Sequence, residues 1–177
     1  FSLRRADLLV YQHVGESVRM TGVETTLNWR FSRNWSAGGN ISYVRGERRE
    51  VNLPLSQIPP LGGKWRLSYN LGKLTLNGHF HFAFQQNRLG ENENLFPVLD
   101  ENGNVIKDNN GDPVLEQLPT DGFGIFDFTA EYYFASGAFL HTLSLSVENI
   151  LDTEYRKHLN RVKQIMPEPG RNLKLLY

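Results

Sequence analysis

Two neighbouring stretches decide how this chain folds: Phe126-Asp127-Phe128-Thr129-Ala130-Glu131-Tyr132-Tyr133-Phe134 and, past the corner Ala135-Ser136-Gly137-Ala138, Phe139-Leu140-His141-Thr142-Leu143-Ser144-Leu145-Ser146-Val147-Glu148. In the first, Phe126, Phe128, Ala130, Tyr132 and Phe134 share one parity and Asp127, Thr129 and Glu131 the other. In the second, Leu143, Leu145 and Val147 alternate with Ser144, Ser146 and Glu148. An extended chain with a repeat of two sends these sets to opposite faces. One face is apolar and the other carries carboxylates and hydroxyls. That division fits a sheet over a soluble core, and equally a membrane barrel with lipid outside and water within. The connections decide.

Working outward, the same alternation recurs. Val23, Thr25, Leu27, Trp29 and Phe31 oppose Glu24, Thr26, Asn28 and Arg30; Ile41 and Tyr43 oppose Asn40 and Ser42; Trp65, Leu67 and Tyr69 oppose Lys64, Arg66, Ser68 and Asn70. Leu74, Leu76, Phe80, Phe82 and Phe84 oppose Thr75, Asn77, His79, His81 and Gln85. With a less regular strand over Leu3–His13 and a last one from Gly170, the reading is all-β, of about eight antiparallel strands running up and down. Corners at Ser32–Asn34, Gly72–Lys73 and Ala135–Ala138 are short, whereas Arg49–Pro60, Leu89–Asp121 and Arg156–Pro169 are long. Short and long alternate, with Gly15 as a mild exception. Outer-membrane barrels keep their long loops at one end in this way. Trp29, Phe31, Trp35, Phe134 and Phe139 lie beside the short corners, where an aromatic girdle would meet a membrane interface.

Composition is compatible with this. The chain has 177 residues, 19 Lys and Arg against 19 Asp and Glu, and no Cys. Zero formal charge and the lack of a basic stripe argue against a nucleic-acid module. No apolar run approaches the roughly 20 residues of a spanning helix, but a spanning strand needs only about 9–11. The chain opens at Phe1 inside a strand-like segment and reads as a piece of a longer protein.

Chemistry-bearing residues fall into three groups. His79 and His81 project to the same polar face, where a carboxylate from a neighbouring strand could complete a metal site. The long connection at 89–121 carries Glu91, Glu93, Asp100, Asp108 and Asp112, a negative loop suited to gathering cationic ligands. Within it, Asn102-Gly103 suggests a small protruding hairpin with a type I′ turn. His158 sits among Arg156, Lys157, Arg161 and Lys163, a cationic group suited to anionic ligands or lipopolysaccharide headgroups. Glu24, Arg30, Lys64, Arg66, Asp127, Glu131 and Glu148 fall on the polar face, where ladders of ion pairs are expected. No nucleophile elbow, phosphate loop or His-Glu-x-x-His is present, so no enzyme activity and no cofactor are expected.

The run Val147-Glu148-Asn149-Ile150-Leu151-Asp152-Thr153-Glu154-Tyr155-Arg156 resembles the segment before the last outer loop of TonB-dependent outer-membrane receptors, and Pro167-Glu168-Pro169-Gly170-Arg171-Asn172 the entry to their final strand. Gly22-Val23-Glu24 and Pro119-Thr120-Asp121-Gly122 resemble further family motifs. The resemblance implies that residues 1–177 are the C-terminal part of a transmembrane barrel of about 22 strands, with the N-terminal plug domain and the rest of the barrel lying elsewhere. It implies a bacterial outer-membrane location and active uptake of a scarce nutrient, a metal ion or a chelate such as a siderophore or haem. Expected partners are the ligand, the protein's own plug, the TonB complex, membrane lipid and lipopolysaccharide. His158-Leu159-Asn160-Arg161-Val162-Lys163 and Asn87-Arg88-Leu89-Gly90-Glu91 resemble a subgroup associated with zinc uptake. Two other readings stay open: a self-contained eight-stranded outer-membrane barrel with an adhesive or structural role, and a soluble β-sandwich or lipocalin-like binder.

Overall fold

Alternating segments that cannot bury both faces must pair edge to edge, and they do. The computed structural model describes residues 15–91 and 93–177, so the strand expected over Leu3–His13 lies outside the described residues. The elements are β1 (Val18–Arg30), β2 (Trp35–Arg48), β3 (Gly62–Leu71), β4 (Leu74–Ala83), β5 (Leu95–Pro97), β6 (Leu115–Gln117), β7 (Phe123–Ser136), β8 (Phe139–Glu148) and β9 (Asn172–Leu176). Seven form one sheet in the order β1-β2-β3-β4-β7-β8-β9, every neighbour antiparallel, while β5 and β6 pair separately. The sheet is open: β1 and β9 are not paired with each other.

Register carries each strand's parity across the sheet. One row on the polar face runs Thr26, Asn40, Lys64, His81; the next runs Asn28, Gly38, Arg66, His79, Asp127. Below it Ser68 Oγ donates to Asn77 Oδ1 at 2.6 Å, and Asn77 Nδ2 donates to Thr129 Oγ1 at 3.3 Å. On the other face Leu27, Gly39, Trp65, Phe80 and Phe126 line up, with the Phe80 and Phe126 rings stacked 4.5 Å apart. Among the described residues no second layer covers this face. Among the described residues the buried apolar side chains are Ile58 and Ile125 alone, while Trp29 is 60% and Phe126 45% exposed. A soluble sandwich would have hidden those rings.

The short corners all sit at one end of the sheet and the three long connections at the other. At the short-corner end the expected aromatic girdle is present: Trp29 and Phe31 (5.1 Å), Phe31 and Trp35 (6.3 Å), and Trp35 and Tyr69 (4.5 Å) form one chain of rings. Phe134, His141 and Tyr177 form another, with Tyr177 Oη 2.7 Å from His141 Nδ1.

The terminal motifs turn out to be a clasp. Asn149, at φ 48°, ends β8, and its N–H donates to Asp127 Oδ1 at 2.7 Å. Its amide then closes on Thr153, accepting from Thr153 N–H and donating to Thr153 O, both at 2.9 Å. Asp152 Oδ1 accepts Arg171 N–H at 2.7 Å, which fixes the entry to β9. A Cβ at residue 170 would sit 2.7 Å from that oxygen, so a larger residue there would push the Asp152 carboxylate aside. The final strand accordingly starts two residues later than Gly170, at Asn172.

Candidate functional site

Above the sheet, the three long connections (49–61, 84–122 and 149–171) fold against one another. The second begins at residue 84, earlier than the alternation through Arg88 suggested, because Gln86 leaves the ladder and pairs with Thr120 instead.

The expected hairpin at Asn102-Gly103 forms, with Leu99 bridged to Val105, but as one arm of a three-armed tip. β5 and β6 form its stem, from Leu95 opposite Gln117 to Pro97 opposite Leu115. Beyond it Val98 N–H donates to Val114 O (2.9 Å), Val114 N–H to Ile106 O (2.9 Å) and Ile106 N–H to Val98 O (2.8 Å), a closed ring of three backbone bonds. Two like lobes leave this ring. In the first, Asp100 Oδ1 accepts Asn102 and Asn104 N–H, both at 2.8 Å; in the second, Asp108 Oδ1 accepts Asn110 N–H at 2.8 Å and Asp112 N–H at 3.0 Å. Gly103 (φ 82°) and Gly111 (φ 87°) supply the left-handed position that closes each turn. Asn102 keeps a negative φ, so these are turns with a terminal left-handed glycine and not type I′ turns. The backbone N–H and side-chain amide of Asn104 hold the Asp100 carboxyl below the usual carboxylate range.

Below the tip, the connections meet in a buried polar knot centred on His158. Its side chain is 1% exposed, and Nε2 lies 3.1 Å from Glu93 Oε1, close enough for an ion pair though off the line of a good hydrogen bond. Glu93 also accepts Gln57 N–H (2.7 Å) and Gly90 N–H (2.8 Å). On the far side of the ring, Nδ1 lies 2.9 Å from Thr120 Oγ1 and 3.3 Å from Lys163 Nζ, which also donates to His158 O at 2.6 Å. Asn94 Nδ2 donates to Leu118 O and, at 3.4 Å, to Thr120 Oγ1. Gly90 is buried against Ser56, with no room for a Cβ. Burial holds the His158 imidazole below the ordinary histidine value; the Lys163 ammonium pushes the same way and the Glu93 carboxylate opposes. Burial likewise holds Lys163 below its usual value against the pull of Glu93.

The residues singled out from sequence therefore have distinct fates. Glu91 pairs with Arg48 at 2.7 Å, Glu93 is buried in the knot, and Asp100 and Asp108 hold their own turns. Of the five acids, Asp112 alone keeps an exposed carboxylate without a bond among the described residues. The cationic cluster divides too: Lys163 and His158 are buried, whereas Arg161 stays exposed and Lys157 pairs with Glu168 at 3.2 Å. His79 and His81 do share the polar face, with ring centres 6.3 Å apart, and His81 Nε2 lies 3.2 Å from Asp127 Oδ2. Among the described residues, however, no three His, Cys, Asp or Glu side chains converge to hold a metal ion.

Two features went unread. The eight-residue repeat behind the tip was visible, as Val98-Leu99-Asp100-Glu101-Asn102-Gly103-Asn104-Val105 against Ile106-Lys107-Asp108-Asn109-Asn110-Gly111-Asp112-Pro113. The knot was not, since its members lie far apart in sequence.

The sequence profile of the family described as TonB dependent receptor-like, beta-barrel matches residues 2–150. Among solved structures, a copper transporter, OprC, is 26% identical over 89% of this chain, with a TM-score of 0.68. The ferric citrate transporter FecA (22% identical, TM-score 0.63) and the FrpB iron transporter from Neisseria meningitidis (18%, 0.60) each align over 89% of the chain and share its fold. The chain spans only 22% of the length of OprC and 23% of FecA and FrpB. Among curated proteins, none matches in sequence.

Proposed function

The chain belongs to the TonB-dependent receptor β-barrel family, an outer-membrane family of bacteria, and on that premise we propose that it supplies wall and outer loops to a receptor for a scarce metal ion or metal chelate. The observation that carries the reading is the gathering of all three long connections at one end of a sheet whose apolar face is bare. That end is the outer one, the bare face meets lipid, and the polar face lines the lumen. Residues 1–177 are then the C-terminal part of one barrel domain, the second connection its longest outer loop. The plug and the segment that contacts the TonB complex lie in other parts of the protein. The likeness to a copper transporter supports a metal-linked cargo.

Nothing here calls for covalent chemistry. The wall excludes lipid, the plug seals the lumen, and the loops gather ligand before energy from the inner membrane moves it inward. The test is uptake of labelled copper, iron and zinc, free and chelated, by cells carrying or lacking the full-length gene, with and without TonB. TonB-dependent uptake of at least one is expected. Equal uptake in all strains overturns the reading.

A further inference from the structure

Asparagine followed by glycine occurs three times in the chain, at Asn77-Gly78, Asn102-Gly103 and Asn110-Gly111. The dipeptide carries a reaction of its own. The side-chain Cγ is an acyl carbon within reach of the next backbone nitrogen. Glycine, lacking a Cβ, neither shields that nitrogen nor restricts the rotation that brings the two together. How firmly the fold holds each pair decides whether they meet.

The fold treats the three differently. Asn77 lies inside β4, with β3 on one side and β7 on the other. Its Oδ1 accepts from Ser68 Oγ at 2.6 Å, its Nδ2 donates to Thr129 Oγ1 at 3.3 Å, and Gly78 stands in the ladder between Leu67 and Phe128. Asn102 and Asn110 are exposed, one in each lobe of the tip. Among the described residues neither of their side-chain amides has a hydrogen-bond partner; their backbone N–H groups alone are used, by Asp100 Oδ1 and Asp108 Oδ1. The attacking nitrogens are held by single bonds, Gly103 N–H to Asp100 O and Gly111 N–H to Asp108 O, both at 3.0 Å. Exchanging such an exposed bond for water costs about 1 kcal/mol net. Nothing lies within 4 Å of where a Cβ would stand on either glycine. All the reacting atoms belong to the lobes themselves, so strands and domains beyond this chain supply no part of the site.

From this contrast we propose that Asn102 and Asn110 are sites of spontaneous deamidation, while Asn77 is protected by the wall. The Gly103 nitrogen loses its proton to hydroxide and attacks Asn102 Cγ. A C–N bond forms, the side-chain nitrogen takes a proton from water and leaves as ammonia, and a cyclic succinimide remains with hydroxide regenerated. Water then adds to one of the two ring carbonyls, and the ring opens to aspartate or to isoaspartate. Gly111 and Asn110 react in the same way. Each conversion adds one negative charge to a tip that already carries Asp100, Glu101, Asp108 and Asp112 against Lys107. The isoaspartate product also inserts a methylene into the main chain, which disrupts the bonds that close its lobe. The tip therefore drifts in charge and shape as the protein ages, whatever the cargo.

The test uses the full-length receptor in detergent, held at mildly alkaline pH in heavy-oxygen water. Peptide mass spectrometry follows, with fragmentation that separates aspartate from isoaspartate. Label is expected at 102 and 110, in both products, with Asn77 unconverted. Receptor held unfolded in denaturant is expected to convert at all three; an Asn77 that stays intact even there overturns protection by the wall. Absence of label at 102 and 110 in the folded receptor overturns the proposal, as does conversion of Asn77 at the rate of the tip sites. On isoelectric focusing the wild type should drift to more acidic bands with time, and Asn102→Gln with Asn110→Gln should lose that drift. An undiminished drift in the variant overturns the assignment. Receptor from long-held stationary cells should carry more isoaspartate at the tip than receptor from growing cells, and equal amounts overturn the drift with age.

Discussion

The sheet and the cap of loops above it solve opposite packing problems. In the sheet, large apolar residues such as Trp29, Phe126 and Leu173 are exposed, and backbone ladders hold the strands together. In the cap the pattern inverts: Gln86, Asn94, Thr120, His158 and Lys163 are buried, and one of the two buried aliphatics, Ile58, accepts a bond from Gln86 through its carbonyl. Lipid explains the first, because it solvates side chains that water would force inward. The second follows from loops too polar to build a greasy core, which must satisfy their buried donors and acceptors with one another. The sheet is an inside-out structure and the cap an ordinary one with a polar centre, so damage should stay in the region where it is made.

The largest separation is expected between the two faces of the wall. Phe128→Asp places a charge at lipid depth and removes a large apolar side chain, together costing about 2 kcal/mol, and should sharply reduce outer-membrane assembly of the full-length receptor. Thr129→Asp, next in sequence but facing water, should assemble. Fractionation and heat-modifiability on gels would show this, and equal behaviour of the two variants would break the assignment of faces.

Next in size is Glu93→Gln. It weakens the charged acceptor of the Gln57 and Gly90 N–H groups beside His158 and should cost the cap about 2 kcal/mol. Hydrogen exchange is expected to rise in residues 84–122 and 149–171 while β1–β4 and β7–β8 stay protected. Exchange rising throughout would mean that the two regions are one cooperative unit.

Acid should act in the same direction, more weakly. With its folded pKa held below the ordinary value, His158 takes up a proton more readily in an opened cap than in a closed one. Stability of the cap is therefore full above the ordinary histidine value of about 6.5 and declines as pH falls below it. Protonation also removes the Nδ1 lone pair that faces Lys163 and Thr120. Loop proteolysis on intact cells should quicken between neutral and mildly acid pH, and His158→Gln should flatten that dependence.

The smallest effect is expected at the tip. Gly111→Ala puts a Cβ on a residue at φ 87° and should cost about 1 kcal/mol. That loosens one lobe, visible as local exchange at residues 106–114, and leaves the knot and the wall untouched.

How legible all this was depended on the range of the forces involved. The sheet could be read because parity is local: Phe126 and Asp127 announce their faces without knowledge of any partner, and β2 falls where alternation put it, Trp35–Arg48. The end of β4 was read too far, through Arg88, because alternation continues past Ala83 although the pairing does not. In the loops, charge was visible and its use was not. Glu93 and Asp112 look alike in sequence, yet one lies buried 3.1 Å from the His158 ring and the other faces water. The difference is made by His158 and Gln57, residues 65 and 36 positions from Glu93, and no local pattern reports contacts at that range. Lys64 and Arg66 were placed on the correct face but expected in ion-pair ladders, because cross-strand register decides that histidines stand opposite them.

With the cap at the outer end as proposed, the knot has a further consequence for whatever meets the cell from outside. Gln57, Glu93, Thr120 and His158 come from three separate excursions of the chain and are locked to one another, so the surface above them is a single composite relief. A phage tail or an antibody that grips this cap reads a discontinuous epitope. Peptides copied from any one loop should fail to compete with it, and escape by mutation in one excursion will reshape what the other two present.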